Sequence, residues 1–250
     1  MSEASGTIRP GLVSVTFRAL PPREIVCLAA ACGLEGIEWG GDVHVPDARA
    51  AREVRRMTED AGLAVAAYGS YWRAAGEFGP VLDAAVALGA PTVRAWAGAA
   101  GSAESDRAPV VGRLRKACER LEGTGMTLSL EYHAGTLTDT LASTLRLAEE
   151  IDHPALRLLW QPVPERPHSQ RESEVRALLP RLGNLHVFQW TRQGGETRRR
   201  SLREGEAEWP EILRLAAGER FALLEFVPGD DPELLPGEAA TLRRWLSLEP

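Results

Sequence analysis

The sequence predicts a single closed (β/α)8 barrel, and three observations lead there. Apolar strand-like runs alternate with helical patterns along the whole chain, which implies parallel strands joined by right-handed crossovers. Most of the strand-like runs follow a glycine placed to end a helix, at Gly33, Gly62, Gly89, Gly125, Gly183 and Gly218. Four runs in the second half stop on metal-ligand side chains, Glu131, Gln161, His186 and Glu225. Two carboxylates, an imidazole and an amide oxygen can meet at one divalent cation if all the strands open on one mouth, as in a closed barrel. The length of 250 residues suits such a domain. An open doubly wound sheet is the competing architecture. It would bind nucleotide through a glycine-rich first turn, and residues 17–22 carry no such motif.

Residues 1–10 are small and polar and read as a flexible leader, leaving residues 11–250 as one domain. Strands are expected at residues 11–17, 36–39, 63–70, 92–97, 127–133, 156–161, 184–190 and 221–227. Helices follow at residues 23–32, 48–61, 77–88, 107–121, 140–151, 171–182, 209–217 and 236–246. Three of them have recognisable starts, at Pro21-Pro22, Pro46-Asp47 and Thr138-Asp139. Residues 191–206 read as a charged loop with Arg192, Arg198, Arg199, Arg200 and Arg203. At the catalytic end of a barrel these arginines could clamp a phosphate or close as a lid, with Arg203 a substrate-binding candidate, and a solvated charge run is the simpler alternative.

A net charge of -6 and a pI near 5.5 argue against a protein that neutralises nucleic-acid phosphates. The longest apolar run, residues 25–31, falls far short of the roughly 18 residues of a membrane span, so a cytoplasmic protein acting on a small molecule is expected. Cys27, Cys32 and Cys118 form no disulfide or thiolate-metal pattern and are expected to pack within helices.

Side chains two apart on a strand share a face. Thr127, Ser129 and Glu131 therefore point into the barrel, opposite Leu128, Leu130 and Tyr132. By the same rule Gln161 opposes Trp160, His186 opposes Val187, and Glu225 opposes Leu224. Near strand ends, Trp39 and Trp96 offer apolar faces for a sugar ring, while His44, His133 and Arg94 offer polar contacts to substrate hydroxyl or acidic groups. Each also has a structural reading, in packing or in pairing with a neighbour.

Three segments, residues 36–44, 129–139 and 205–209, occur in an order and at strand positions that resemble the sugar phosphate isomerase/epimerase family with the xylose isomerase-like TIM barrel. The resemblance covers residues 11–246. It implies one divalent metal, Mn2+, Mg2+ or Co2+ with Zn2+ as a further option, held by Glu131, Gln161, His186 and Glu225, where relatives carry aspartate at position 161. A second familiar aspartate appears here as Gln189. The resemblance further implies Glu131 and Glu225 as the acid/base pair of a sugar or sugar phosphate isomerase or epimerase, acting through an enediolate. A carbohydrate substrate and self-association into a homo-oligomer follow as expectations. The same machinery becomes a lyase when a leaving group sits beta to the carbanion. The loss of two aspartates leaves a silent sugar-binding barrel as a rival.

Overall fold

The computed structural model describes residues 7–163, 166–193 and 196–247, with the side chains of residues 192 and 193 excepted. Eight parallel strands form the barrel: β1 (Ile8–Val13), β2 (Gly36–Gly40), β3 (Ala64–Gly69), β4 (Thr92–Ala95), β5 (Thr127–Glu131), β6 (Leu156–Trp160), β7 (Leu182–Val187) and β10 (Arg220–Leu224). They close in the order β1-β10-β7-β6-β5-β4-β3-β2, with β1 paired to both β10 and β2. The helices α1 (Pro22–Ala31), α2 (Ala48–Asp60), α3 (Gly79–Leu88), α4 (Arg107–Arg120), α5 (Leu141–Ile151), α6 (His168–Leu178), α7 (Trp209–Leu215) and α8 (Leu235–Leu246) alternate with them.

Local chemistry explains several boundaries. The Asp47 carboxylate accepts the backbone N–H groups of Arg49 and Ala50 and starts α2, and the Thr140 hydroxyl caps α5 through Ser143. Gly89 ends α3 in the left-handed conformation and returns its N–H to the last turn, as the glycine pattern anticipates. Gly183 does not act this way: it lies inside β7, and α6 ends instead in a short 3-10 turn over Leu179–Arg181. The outward faces of the strands and the inward faces of the helices build one apolar core that includes Ile37, Trp39, Leu128, Leu130, Trp160 and Leu185.

The structure corrects the reading at three places. Residues 8–10 belong to β1, so any leader is shorter than residues 1–10; residues 1–6 lie outside the described residues. Residues 191–206 are not a loop throughout, because β8 (Gln189–Gln193) and β9 (Glu196–Arg200) pair as an antiparallel hairpin after β7. Both strands are polar or charged at nearly every position, so they lack the apolar period-two signal that marks a half-buried strand. Of the cysteines only Cys118 is buried; Cys27 is exposed and Cys32 partly so. Among the described residues no helix is long and apolar enough to cross a membrane.

Candidate functional site

All four predicted ligand-type side chains reach the carboxyl mouth. Glu131 is the last residue of β5, while Gln161 and Glu225 directly follow β6 and β10; His186 lies one residue before the end of β7. All four are buried. The ring nitrogen Nδ1 of His186 stands 3.1 Å from Glu225 Oε2 and 3.3 Å from Gln161 Oε1, so three donor types converge on one point. The Gln161 amide nitrogen donates to Glu131 Oε1 at 3.0 Å, linking the fourth member.

Two further charged groups complete the cluster. Glu38 of β2, fully buried, receives Arg94 Nε on one carboxylate oxygen at 3.0 Å and faces His186 Nε2 with the other at 3.3 Å. Arg94 of β4 also pairs with Glu131 at 3.0 Å and donates to the Ser70 carbonyl at 3.3 Å. The Trp96 indole N–H donates to Glu131 as well. Burial disfavours the charged form of each group, but the mutual attractions prevail. Despite desolvation, His186 and Arg94 hold the Glu38 carboxylate down at about 2. Despite the same penalty, Glu225 and Glu38 push the His186 imidazole up to about 10. Arg94, beside Glu131 and Glu38, is held charged above its ordinary range.

Above the cluster lies a cavity of about 490 Å³ with mixed walls. Arg94, Glu131, Gln161 and Glu225 form polar parts of its lining. Tyr71, Trp96, His133, Phe188, Trp190 and Phe226 supply its aromatic faces. Trp96 packs against His133 with ring centroids 5.0 Å apart and carries the Arg73 guanidinium 3.7 Å over its face. Phe226 takes a left-handed backbone, φ 66°, immediately after Glu225. Such strain in a bulky residue costs on the order of 1–3 kcal/mol and persists where surrounding contacts enforce it. Here the Phe226 N–H donates to Thr16 Oγ1 at 3.1 Å, and its ring packs on Trp190 at 5.1 Å.

The hairpin brings Trp190 directly opposite Arg199, and both line the cavity. Arg199 sits 4.2 Å over the Phe226 ring and pairs with Asp230, tying the hairpin to the loop after β10. Arg198 and Arg200, of opposite parity, pair instead with Glu196 and Glu204.

Of the predicted substrate contacts, His133, Arg94 and Trp96 reach the cavity, and three others do not. Trp39 is fully buried on the helix side of β2, its indole N–H bonded to Thr58 of α2 at 3.1 Å; strand parity sends Glu38 inward and Trp39 outward. His44 is enclosed between Ser14 Oγ at 2.9 Å and the Leu20 carbonyl at 3.2 Å, and burial holds its imidazole below the usual histidine range. Arg203 is exposed in the 3-10 turn Leu202–Gly205, outside the cavity lining. Tyr71, Phe188 and Phe226 escaped the sequence reading because single aromatics at strand ends look like core residues. Arg199 carried no distinguishing signal within Glu-Thr-Arg-Arg-Arg, residues 196–200; only their pairing as a strand separates its face from that of Arg198 and Arg200.

The family described as xylose isomerase-like TIM barrel matches residues 26–245. A 3-dehydroshikimate dehydratase of Bacillus anthracis is 32% identical over 172 residues, a match that spans 60% of this chain and 61% of that relative, less than two thirds of its length. Among solved structures, the probable 3-DHS dehydratase of Bacillus anthracis involved in petrobactin synthesis superimposes with a TM-score of 0.77 at 24% identity, covering 94% of this chain and 99% of that one. A Mycobacterium smegmatis barrel in complex with magnesium gives 0.70 at 18% identity, with 96% and 97% covered. D-psicose 3-epimerase of Clostridium cellulolyticum H10, solved with D-tagatose, gives 0.71 at 13% identity, with 96% and 99% covered. At these identities the solved structures establish the fold alone, and the match over residues 26–245 settles membership: this chain belongs to the xylose isomerase-like TIM barrel family.

Proposed function

We propose that the protein is a dehydratase that removes the proton next to the carbonyl of a small polyhydroxylated keto compound and expels the beta hydroxyl as water. The observation that supports this most is the pair of carboxylates, Glu131 and Glu225, lining one cavity from the ends of β5 and β10, Glu131 held by Gln161, Arg94 and Trp96 and Glu225 by His186 on one oxygen. One carboxylate takes the C–H proton; the electron pair moves into the carbonyl to form an enolate. The enolate then reforms the carbonyl as the carbon–oxygen bond beta to it breaks, and the departing hydroxyl receives a proton from the other carboxyl group. A carbon–carbon double bond and one water result. The aromatic walls suit a flat, conjugated product, and the 32% identical relative named as a dehydratase favours elimination over proton return. The same two glutamates, one from β5 and one following β10, keep sugar epimerisation as the second reading, since return of the proton on the opposite face needs only a second group there.

The donor set fits a divalent cation. Glu38, Glu131 and Glu225 with Arg94 and the protonated His186 sum to a net of one negative charge, and release of the His186 proton on coordination would bring it to two, which a dication would neutralise. Gln161 Oε1, His186 Nδ1 and Glu225 would hold it, with Glu131 adjoining and Glu38 fixing the far nitrogen of His186. Among the described residues no group of three His, Cys, Asp or Glu side chains is placed for a metal, and a site here would need the Gln161 amide oxygen as a ligand. A cation held there would supply Lewis-acid polarisation of the substrate carbonyl. The chain's own residues do the rest: Arg94 and Trp96 orient Glu131, His186 orients Glu225, and Trp96 with His133 walls the cavity.

Two measurements test this. The Mn2+-loaded protein is expected to convert 3-dehydroshikimate with loss of one water, followed by NMR in D2O, and to leave D-fructose without C–H exchange. Exchange into fructose without elimination would transfer the assignment to an epimerase, and inertness toward both would overturn the proton-abstraction reading. Separately, Gln161→Asp restores a third carboxylate to the metal side and is expected to tighten Mn2+ binding about tenfold or more, roughly 1.4 kcal/mol. Unchanged or weaker binding by calorimetry would remove Gln161 from the coordination shell.

A further inference from the structure

The amino-terminal end of the same barrel is built unlike an ordinary barrel core. Branched apolar side chains usually fill all interior layers. Here small and polar residues, Ala66, Thr92, Thr127, Ser129, Gly183 and Asn184, line a cavity of about 530 Å³ together with Pro91, Leu182 and Phe221. A plug of Val13, Val15, Ala66, Phe221 and Leu223 forms a separate apolar cluster. The lining residues of this lower cavity are all different from those of the catalytic mouth.

Three arginines, Arg9, Arg157 and Arg220, edge this cavity, and among the described residues Glu219 is the one carboxylate in its lining. Arg9 is neutralised by Glu35 at 2.8 Å and stacks over Phe221. The other two have no carboxylate partner among the described residues. Arg157 donates to the carbonyls of Pro154 and Leu156 at 2.8 and 2.9 Å, and Arg220 to those of Leu182 and Gly183 at 2.8 and 3.1 Å. Carbonyl dipoles hold a guanidinium in place without cancelling its charge. Burial pulls the Arg220 guanidinium below its ordinary range, and no opposing attraction offsets it. Arg220 Nε is buried without a hydrogen-bond partner. So is the hydroxyl of Ser129, a residue only 2% exposed whose strand parity directs it to the barrel interior. A buried donor left unpaired costs on the order of 1–3 kcal/mol, and one such group deserves a cause.

We propose that this lower cavity is a binding site for a small tetrahedral oxyanion of the inorganic phosphate class, held by Arg157 and Arg220 with Ser129 at its inner wall. Two fixed guanidinium groups supply charge and forked donors suited to phosphate oxygens. The site lies on the face that in barrels governs stability rather than chemistry, so its occupancy is expected to stiffen the fold without entering the reaction.

The test uses the full chain and inorganic phosphate, compared with sodium chloride at equal ionic strength, with thermal unfolding and phosphorus NMR line width as readouts. Saturable stabilisation and line broadening by phosphate are expected, both weakened at least tenfold in apparent affinity by Arg157→Met combined with Arg220→Met. Ser129→Ala, a smaller change that preserves folding, is expected to weaken phosphate binding by several-fold. Stabilisation equal to that of chloride, or phosphate binding undiminished in Ser129→Ala and in the folded arginine variants, would overturn the proposal. Phosphate bound at the opposite mouth would give that second result.

Discussion

Glutamine in place of Glu131 or Glu225 is expected to lower turnover of a responsive keto substrate by about 10²–10⁴-fold, the range for removal of a positioned general acid or base. The change keeps size but removes both the exchangeable proton and the negative charge that faces Arg94 or His186. The two variants should differ in kind. The one lacking the base loses C–H exchange with solvent together with elimination, whereas the one lacking the acid can still exchange the proton while failing to release water. The double variant should fall little below the poorer single one, because groups that act as a unit are not additive. Near-wild-type turnover in either variant would remove that residue from the chemistry. Mn2+ affinity separates this from loss of the ion: Glu225 faces His186 Nδ1 and Gln161 faces the same atom, so Glu225→Gln should weaken metal binding as well, while Glu131 stands one hydrogen bond further out.

The largest stability effect is expected at Glu38. Its carboxylate is fully buried between two cationic groups, Arg94 at 3.0 Å and His186 at 3.3 Å. Glu38→Leu leaves both with one fewer counter-charge and should cost about 3–5 kcal/mol, a large share of the roughly 5–15 kcal/mol of a typical domain. Urea unfolding of metal-stripped protein near pH 6 measures it, and a loss under about 1 kcal/mol would mean that the cluster rearranges freely. The pH dependence follows from the same pairings. Glu38 is depressed from 4.5 to about 2, so its contribution is present above 4.5 and fades as pH falls toward 2. His186 is raised from 6.5 to about 10, so its contribution is complete below 6.5 and is lost as pH climbs through 10. These two groups therefore give the metal-stripped protein its best stability between about 4.5 and 6.5. Glu38→Gln should flatten the decline at high pH, since one of the two carboxylates that hold the His186 proton is gone.

Much of the barrel was legible because the signals for it are local. Helix stops such as Gly89, caps such as Asp47, and the period-two alternation of Thr127, Ser129 and Glu131 all act within a few residues. Parallel direction then carries Glu131, Gln161, His186 and Glu225 to one mouth without any long-range information. The same reasoning failed for Trp39, where distance from the strand end suggested a substrate face although parity alone, set by inward Glu38, already sent it to the helices.

What the sequence by itself determined is the alternating chain, the closed barrel and the four ligand-type side chains at its carboxyl end, because hydrophobic period and strand direction are written residue by residue. Only the tertiary structure decided which charges meet. Glu38 and His186 are 148 residues apart and face each other solely because the barrel closes β1 onto β10 and β2 at fixed register. Closure likewise sets Arg94 between Glu38 and Glu131, encloses His44, and folds Arg199 over Phe226 through a hairpin whose strands carry no apolar stripe. At the opposite end it leaves Arg157 and Arg220 bonded to backbone carbonyls, with Glu219 in the same cavity lining but in no ion pair with either among the described residues. Charge pairing across an interior depends on register and curvature summed over every strand, and no window of the chain contains that sum.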